Sequence, residues 1–195
     1  MRADARRNLD KIVEAAAEVV AERGVNAPME AIAKRAGVGV GTLYRRFPDR
    51  AALIAALGRH YVGSINKAVE AAVNSASDAW SAIRDFVAWV AEPGRGALAA
   101  ALAGLPEETF ADMEEFEEDQ LRWMQQLDEL VRRAQADGMM RSDVSAEDLV
   151  HLLNVFTCHP DALPAPVAAQ PMKYLHLVLD GMQTAAATPL PAPPG

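Results

Sequence analysis

Two short helical patterns joined by a glycine turn occupy residues 27–50, and they constrain the fold more than any other part of the chain. The first pattern ends at Gly37, in the place where a left-handed residue commonly closes a helix. The second places Leu43 and Phe47 four residues apart, so both face inward. Pro48 ends it because proline has no backbone N–H to continue the ladder. A helix this short, presented by a turn, fits the major groove of DNA.

The residues between those two inward positions carry the polar chemistry of the second helix. Thr42, Tyr44, Arg45 and Arg46 must occupy its other faces. They supply a hydroxyl, a phenol and two guanidinium groups on little more than two helical turns. Such a set is typical of a helix that contacts phosphates and base edges.

A resemblance to a known family covers residues 8–57. It lies in IVEAAAEVVAERG (12–24), AIAKRAGV (31–38) and GTLYRRF (41–47), followed by an apolar helix after Pro48. In order and spacing these segments resemble the N-terminal helix-turn-helix domain of the TetR family of transcriptional regulators. The motif has its expected context, because every flanking helix of the domain is present.

The resemblance implies a set of DNA-contacting residues in and beside the second helix: Val40, Gly41, Thr42, Tyr44, Arg45, Arg46 and Arg50. Thr42, Tyr44 and Arg50 are expected to bind phosphate oxygens, and Arg46 also matches a DNA-contacting position. Val40, Gly41 and Arg45 are expected to face base edges. A bidentate contact from an arginine to guanine contributes ~1–3 kcal/mol of discrimination. The chain departs from the family pattern at Gly39, where a capping serine is common.

Composition supports an all-α fold. The chain has 195 residues, of which 51% are hydrophobic, and alanine is abundant; alanine is the strongest helix former. No apolar run approaches the ~18 residues of a membrane helix, and the N-terminus lacks the apolar core of a signal peptide. The single cysteine, Cys158, excludes an internal disulfide. We therefore expect a cytoplasmic protein without membrane association.

Charge is distributed unevenly along the chain. Residues 1–50 carry a net charge of +3 and residues 51–195 carry −11, which accounts for the total of −8. A cationic N-terminal domain on an acidic body suits a DNA-binding protein whose body avoids non-specific contact with DNA.

Breaks in the apolar pattern predict the domain organisation. We expect a helix-turn-helix domain at residues 1–50, with residues 1–7 as a flexible arm, and a helical effector-binding and dimerisation domain at 51–187. Residues 188–195 are proline-rich and are expected to be disordered. About nine helices fit this division. Ser77 or Asp78 is predicted to cap one helix, and Ser145 with Asp148 forms a capping box before another.

Bulky residues in the middle helices are candidates to line an effector pocket, although ordinary core packing is the simpler interpretation of any single one. The set is Trp80, Phe86, Trp89, Phe110, Met113, Phe116, Trp123 and Met124, with His151 and Asn154 as polar groups. The acidic run at 107–119 is most simply a solvated face. Alternatively, it forms an anionic mouth, so the expected effector is a small apolar or cationic molecule.

The last two helical patterns carry apolar residues on more than one face. In the TetR family two such helix pairs from two protomers form a four-helix interface, so the resemblance implies a homodimer. The alternative is packing within one chain. The candidate interface residues are Leu149, Leu152, Phe156, Leu175, Val178, Leu179 and Met182.

The resemblance therefore implies a ligand-responsive regulator, most simply a repressor, that binds a palindromic double-stranded operator. An activator, or a regulator of the same fold controlled by a protein partner, is the alternative. An enzyme is disfavoured because no nucleophile–base arrangement or glycine-rich phosphate loop is visible. No two of the four histidines stand three or four residues apart, so no helical metal pair exists. No metal or other cofactor is expected.

Overall fold

The computed structural model describes residues 2–106, 109–110, 114–159, 162–184, 188 and 190, with only the backbone described for 2–7 and 114–115. The all-α prediction is confirmed, with ten helices in these ranges. They are α1 (Arg2–Arg23), α2 (Met29–Ala36), α3 (Val40–Arg46), α4 (Arg50–Ser75), α5 (Ala79–Val90), α6 (Pro93–Ala103), α7 (Glu114–Ala136), α8 (Ala146–Thr157), α9 (Ala165–Ala168) and α10 (Pro171–Gly181). No helix of the described residues is long and apolar enough to span a bilayer.

The chain divides into two compact units. The first combines Met1–Ser64 with Glu92–Gln120, and the second combines Ile65–Ala91 with Leu121–Gly195. Helices α4 and α7 therefore contribute residues to both units.

The first unit is built around α1, which contacts both α2 and α6. Its core includes the fully buried side chains of Ile12, Ile32 and Leu43. Helix α6 adds Leu98 and Leu102 to the same cluster. A helix that follows residue 90 in sequence thus completes the core beneath the first three helices.

The first helix begins earlier than predicted. Helix α1 begins at Arg2, so the backbone of the segment expected to be a flexible arm continues the helix. Pro93 begins α6, which agrees with the preference of proline for a first helical turn.

Gly58 of α4 accommodates an aromatic ring. A Cβ atom on Gly58 would lie 2.5 Å from Cε1 of Phe110, which is too close for any side chain without movement of the ring. Phe110 in turn stacks on Phe116, with ring centroids 5.1 Å apart and planes 9° from parallel. Because Gly58 has no side chain, the ring of Phe110 can pack directly against the backbone of α4.

The second unit contains both of the predicted helix caps. Asp78 accepts a hydrogen bond from the backbone N–H of Ser81 at 2.7 Å and so caps α5. Ser145 and Asp148 form the complete capping box of α8. Within this unit α8 contacts α5 and α10.

Hydrogen bonds join the turn after α7 to the end of the second unit. The guanidinium group of Arg141 donates to both carboxylate oxygens of Asp143, at 2.5 and 2.8 Å, and to the carbonyl of Thr188 at 2.6 Å. The backbone N–H of Leu190 donates to the same carboxylate. Arg141, followed by this N–H, holds the pKa of Asp143 well below its usual range.

Candidate nucleic-acid interface

The turn between α2 and α3 is closed by a left-handed glycine, as predicted. Gly37 has φ 68°, a conformation that costs glycine little because it has no Cβ. The N–H of Val38 then donates to the carbonyl of Ala33 at 3.0 Å, satisfying a free acceptor at the end of α2. This geometry fixes the direction in which α3 leaves the turn.

An ion-pair network links α2 to α1. Arg35 donates to Glu18 at 2.8 Å and to Glu22 at 2.8 Å. The hydrogen bond from Arg35 lowers the pKa of Glu22. All three groups are largely solvated, so the pairs add little energy, but they join α1 to α2, the helix that contacts α3.

Helix α3 has one buried side and one exposed side. Leu43 is fully buried and Phe47 is 5% exposed, as the spacing predicts. Phe47 itself lies just past the helix in extended backbone (φ −127°) because the following proline disfavours helical geometry. Val40 and Tyr44 are 36% and 44% exposed. Gly41, Arg45 and Arg46 are exposed, and Thr42 is half-buried.

Two of the candidate DNA-contacting side chains are linked to each other. Nη2 of Arg45 donates to Oγ1 of Thr42 at 3.2 Å. The bond uses one of the five donors of the guanidinium group and leaves the others for a ligand. Thr42 therefore orients Arg45 on the exposed side of α3.

The start of α3 is held by backbone alone. Gly39 is the N-cap residue, and no side chain caps the helix there. Its carbonyl accepts from the N–H groups of Thr42 at 2.8 Å and Leu43 at 3.2 Å. Helix α3 consequently begins with fewer satisfied donors than it would with a serine at this position.

Arg50 makes contacts that sequence reasoning did not foresee. Its Nη1 atom donates to the carbonyl oxygens of Val25 at 2.9 Å and Ala27 at 2.6 Å, in the connection between α1 and α2. The side chain is half-buried. Arg50 thus ties the first residue of α4 to the segment that precedes α2, in addition to the phosphate contact predicted for it.

Two family profiles match most of the chain. Residues 12–57 match that of the bacterial regulatory proteins of the tetR family. Residues 65–184, more than half of the chain, match the C-terminal domain of SbtR-like transcriptional regulators. This chain belongs to the TetR family.

Individual TetR-family proteins agree with this assignment. The structure of a TetR transcription regulatory protein from Mycobacterium vanbaalenii is 28% identical, with a TM-score of 0.69 over 93% of this chain and 98% of that one. A TetR transcriptional regulator from Streptomyces coelicolor is 30% identical, with a TM-score of 0.62 over 89% and 97%. An HTH-type transcriptional regulator from Staphylococcus aureus (strain USA300) is 48% identical over 54 residues, spanning 27% of this chain and 29% of that protein. Each of these relatives is a transcription regulator.

In this TetR-family chain the residues predicted to line a pocket are divided between the two units. Phe110 and Phe116 belong to the first unit, and Met113 lies outside the described residues. The second unit holds Trp80, Phe86 and Trp123, which are buried, and Trp89 and Met124, which are half-buried, whereas His151 and Asn154 are exposed. The rings of Phe86 and Trp123 lie 6.5 Å apart.

A groove of about 450 Å³ runs between α4 and α7 within the second unit. Of the described residues that line it, two are apolar, Val73 and Leu130, and seven are polar or charged. None belongs to the predicted aromatic set. In the sequence its polar lining residues are indistinguishable from a solvated helix face. Among the described residues no cluster of metal-ligating side chains occurs.

The residues predicted for a dimer interface differ in exposure. Four of them, Leu149, Leu175, Leu179 and Met182, are buried within the single chain, because α8 packs against α10. Leu152, Phe156 and Val178 are half-buried. Val155 and Leu177, which the prediction did not include, are 43% and 61% exposed. We call Leu152, Val155, Phe156, Leu177 and Val178 the α8–α10 face.

Proposed function

We propose that this protein is a homodimeric, cytoplasmic repressor that binds a palindromic operator and leaves it when a small molecule binds the second unit. The observation that carries the proposal is that α3 has one buried side and one exposed side. One side is anchored by a fully buried Leu43, and the other presents hydroxyl, phenol and guanidinium groups to solvent. Family membership supports the same function.

The chemistry of the exposed side divides into two roles. Arg45 retains donors that can form a bidentate contact with guanine, and Val40 is an exposed apolar side chain that can lie against a thymine methyl. Tyr44 and Arg46 can bind phosphate oxygens, which position a protein on the duplex without reading its sequence.

The experiment that tests DNA binding is selection from a random duplex library, followed by gel-shift titration of the selected sequence and a scrambled control. We expect an enriched palindrome and binding that weakens steeply with salt. Equal binding of selected and scrambled duplexes would contradict the proposal.

Arg45→Ala is expected to relax sequence choice at the guanine that Arg45 contacts. The variant should lose ~1–3 kcal/mol of discrimination against other bases at that position. Titration of operators that differ only at that base measures the effect. Tyr44→Phe is the matched control and should weaken binding about equally on all of these operators, because it removes a phosphate contact. The same base preference in Arg45→Ala and unaltered protein would show that Arg45 reads no base.

The α8–α10 face supports a dimer. Positions 152, 155 and 156 lie on one side of α8, as their spacing requires, and α10 adds the exposed Leu177 and the half-buried Val178. Exposed leucine and valine side chains on adjacent helices are stabilised when a second copy covers them. A two-fold dimer presents two copies of α3, as half-sites about 34 Å apart require.

Leu177→Glu is therefore expected to convert the dimer to a monomer. Leu177 is 61% exposed in the single chain, so the substitution should leave the fold of each chain intact while placing a charge in the interface. Light scattering coupled to size-exclusion chromatography measures the mass. His176→Glu, an exposed neighbour on the same helix, should remain dimeric. A dimeric Leu177→Glu protein would exclude this face as the interface.

Helix α4 offers a route for control by a ligand. It begins at Arg50, beside the DNA-binding helices, and carries Glu70 in the groove of the second unit. A ligand that favours one position of α4 with a coupling of ~1–3 kcal/mol would suffice for a working switch. A true effector should both raise the melting temperature and release the selected operator.

A further inference from the structure

We infer that the α10 helices of two copies pack antiparallel, with Lys173 of each copy paired to Asp180 of the partner subunit, and that these charges select a second copy of this chain as the partner. The inference rests on the proposed homodimer and adds its register and its selectivity. The apolar part of the α8–α10 face cannot supply either one, because hydrophobic contact is not directional.

The first support is a stripe of exposed side chains along α10. Lys173, Leu177 and Asp180 are all exposed, and their spacings of four and three residues place them on one side of the helix. Leu177 belongs to the α8–α10 face and lies close to the midpoint between the two charges. The stripe therefore has an apolar centre, a positive charge at one end and a negative charge at the other.

Two-fold symmetry makes this stripe complementary to itself. In a two-fold dimer the same surface of both subunits meets. If the helices cross near Leu177 in antiparallel orientation, Lys173 lies opposite Asp180 of the partner subunit, and the second pair forms by symmetry. Parallel helices would place each charge opposite its own copy. Because like charges in an interface are unfavourable, the pattern favours the antiparallel arrangement.

The second support is that both charges oppose the dipole of their own helix. Helix α10 spans Pro171–Gly181, so Lys173 lies in its first turn and Asp180 in its last. Positive charge near a helix N-terminus and negative charge near a C-terminus are each unfavourable. The stability of α10 therefore does not explain either residue, whereas pairing with a second copy does.

The contacts of these side chains within one chain leave both charges available. Seven residues along a helix correspond to about 10 Å, so Lys173 and Asp180 of one chain are separated by roughly this distance. Nζ of Lys173 lies 5.7 Å from the ring centroid of Tyr174. Oδ1 of Asp180 accepts a hydrogen bond from Nε2 of Gln183 at 3.4 Å, which is long for such a bond. Neither contact neutralises the charge.

The test is a charge exchange between the two positions in the full-length protein. Lys173→Asp alone, or Asp180→Lys alone, gives a homodimer with two like-charge pairs, and its dissociation constant should rise about 10-fold or more at low salt. An equimolar mixture of the two variants restores opposite charges in both pairs and should dimerise about as tightly as the unaltered protein. Light scattering coupled to size-exclusion chromatography over a range of concentrations measures the dissociation. Added salt should reduce the differences.

Glu147→Lys is the matched control for Asp180→Lys. Glu147 is exposed on α8, and the substitution changes the net charge of the chain by the same amount. Mixed with Lys173→Asp, it should not give a preferred heterodimer, because it places no lysine opposite position 173. Co-purification of differently tagged chains measures the preference. Circular dichroism should show folded variants, because both exchanged charges agree with the helix dipole.

The outcomes separate this inference from the proposed function. The inference is overturned if either charge variant dimerises as tightly as the unaltered protein, or if the mixture recovers no affinity. It is also overturned if Glu147→Lys rescues Lys173→Asp as well as Asp180→Lys does. In each of these cases a monomeric Leu177→Glu variant would leave the proposed dimer standing. If the unaltered protein is itself a monomer, the proposed dimer and this inference both fail.

Discussion

Replacing Leu43 with alanine is expected to lower the free energy of unfolding by about 2–5 kcal/mol and to abolish specific binding of the operator. Leu43 is the side chain of α3 that is fully buried in the core of the first unit. Its truncation leaves a cavity beneath α3 and removes the contact that fixes which side of the helix faces outward. Denaturant unfolding measures the stability, and gel-shift titration at a temperature where the variant is folded measures the affinity.

Val40→Ala is the matched control for this substitution. Val40 belongs to the same short helix but is 36% exposed, so its truncation should change stability by less than ~0.5 kcal/mol. We expect only the loss of an apolar contact to a base. If Leu43→Ala were as stable as Val40→Ala, the packing of α3 described above would be wrong.

Arg50→Ala is expected to destabilise the protein by about 1.5–3 kcal/mol, in addition to weakening DNA binding. The substitution removes a charged donor from the carbonyls of Val25 and Ala27, and hydrogen bonds to charged groups are worth about this much. Arg50→Lys should recover only part of the stability. Its ammonium group can still donate to a backbone carbonyl, but its side chain is one atom shorter than that of arginine. Denaturant unfolding measures both variants.

The salt dependence of operator binding tests the second role of Arg50. If Arg50 also contacts phosphate, Arg50→Ala should reduce the slope of log affinity against log salt by about 1. Arg46→Ala should reduce the slope similarly with a stability change below ~0.5 kcal/mol, because Arg46 is exposed. A stability loss in Arg50→Ala with an unchanged slope would show that Arg50 holds the fold without contacting DNA.

Local signals in the sequence predicted those parts of the fold that depend on neighbouring residues. Gly37 predicted the turn because only a local backbone conformation is involved, and the spacing of Leu43 and Phe47 predicted the buried side of α3. The capping box at Ser145 was predicted for the same reason: its partner is three residues away. In each case the determining contact lies within one helical turn or one tight turn.

Contacts between distant segments were not predictable in this way. The acceptors of Arg50 lie 23 and 25 residues earlier in the chain, and nothing in the local pattern connects them. The packing of α6 into the core of the first unit depends on tertiary structure as well.

The candidate ligand site illustrates a different difficulty. Aromatic residues were natural candidates for a pocket, and Trp80 and Phe86 are buried, as their size and hydrophobicity favour. The groove between α4 and α7 is lined mostly by residues such as Glu70, Gln125 and Arg133, which in sequence resemble any solvated helix face.

The packing of Phe110 over Gly58 offers a minimal probe of motion in this regulator. A single added methyl group at position 58 would meet the ring of Phe110. Gly58→Ala should therefore displace that ring at one defined point of α4. Pairing it with Phe110→Ala, which vacates that space, would form a double-mutant cycle whose coupling energy can be followed with and without DNA. A coupling that changes when DNA binds would show that the segment after α6 shifts against α4 as the protein engages its operator.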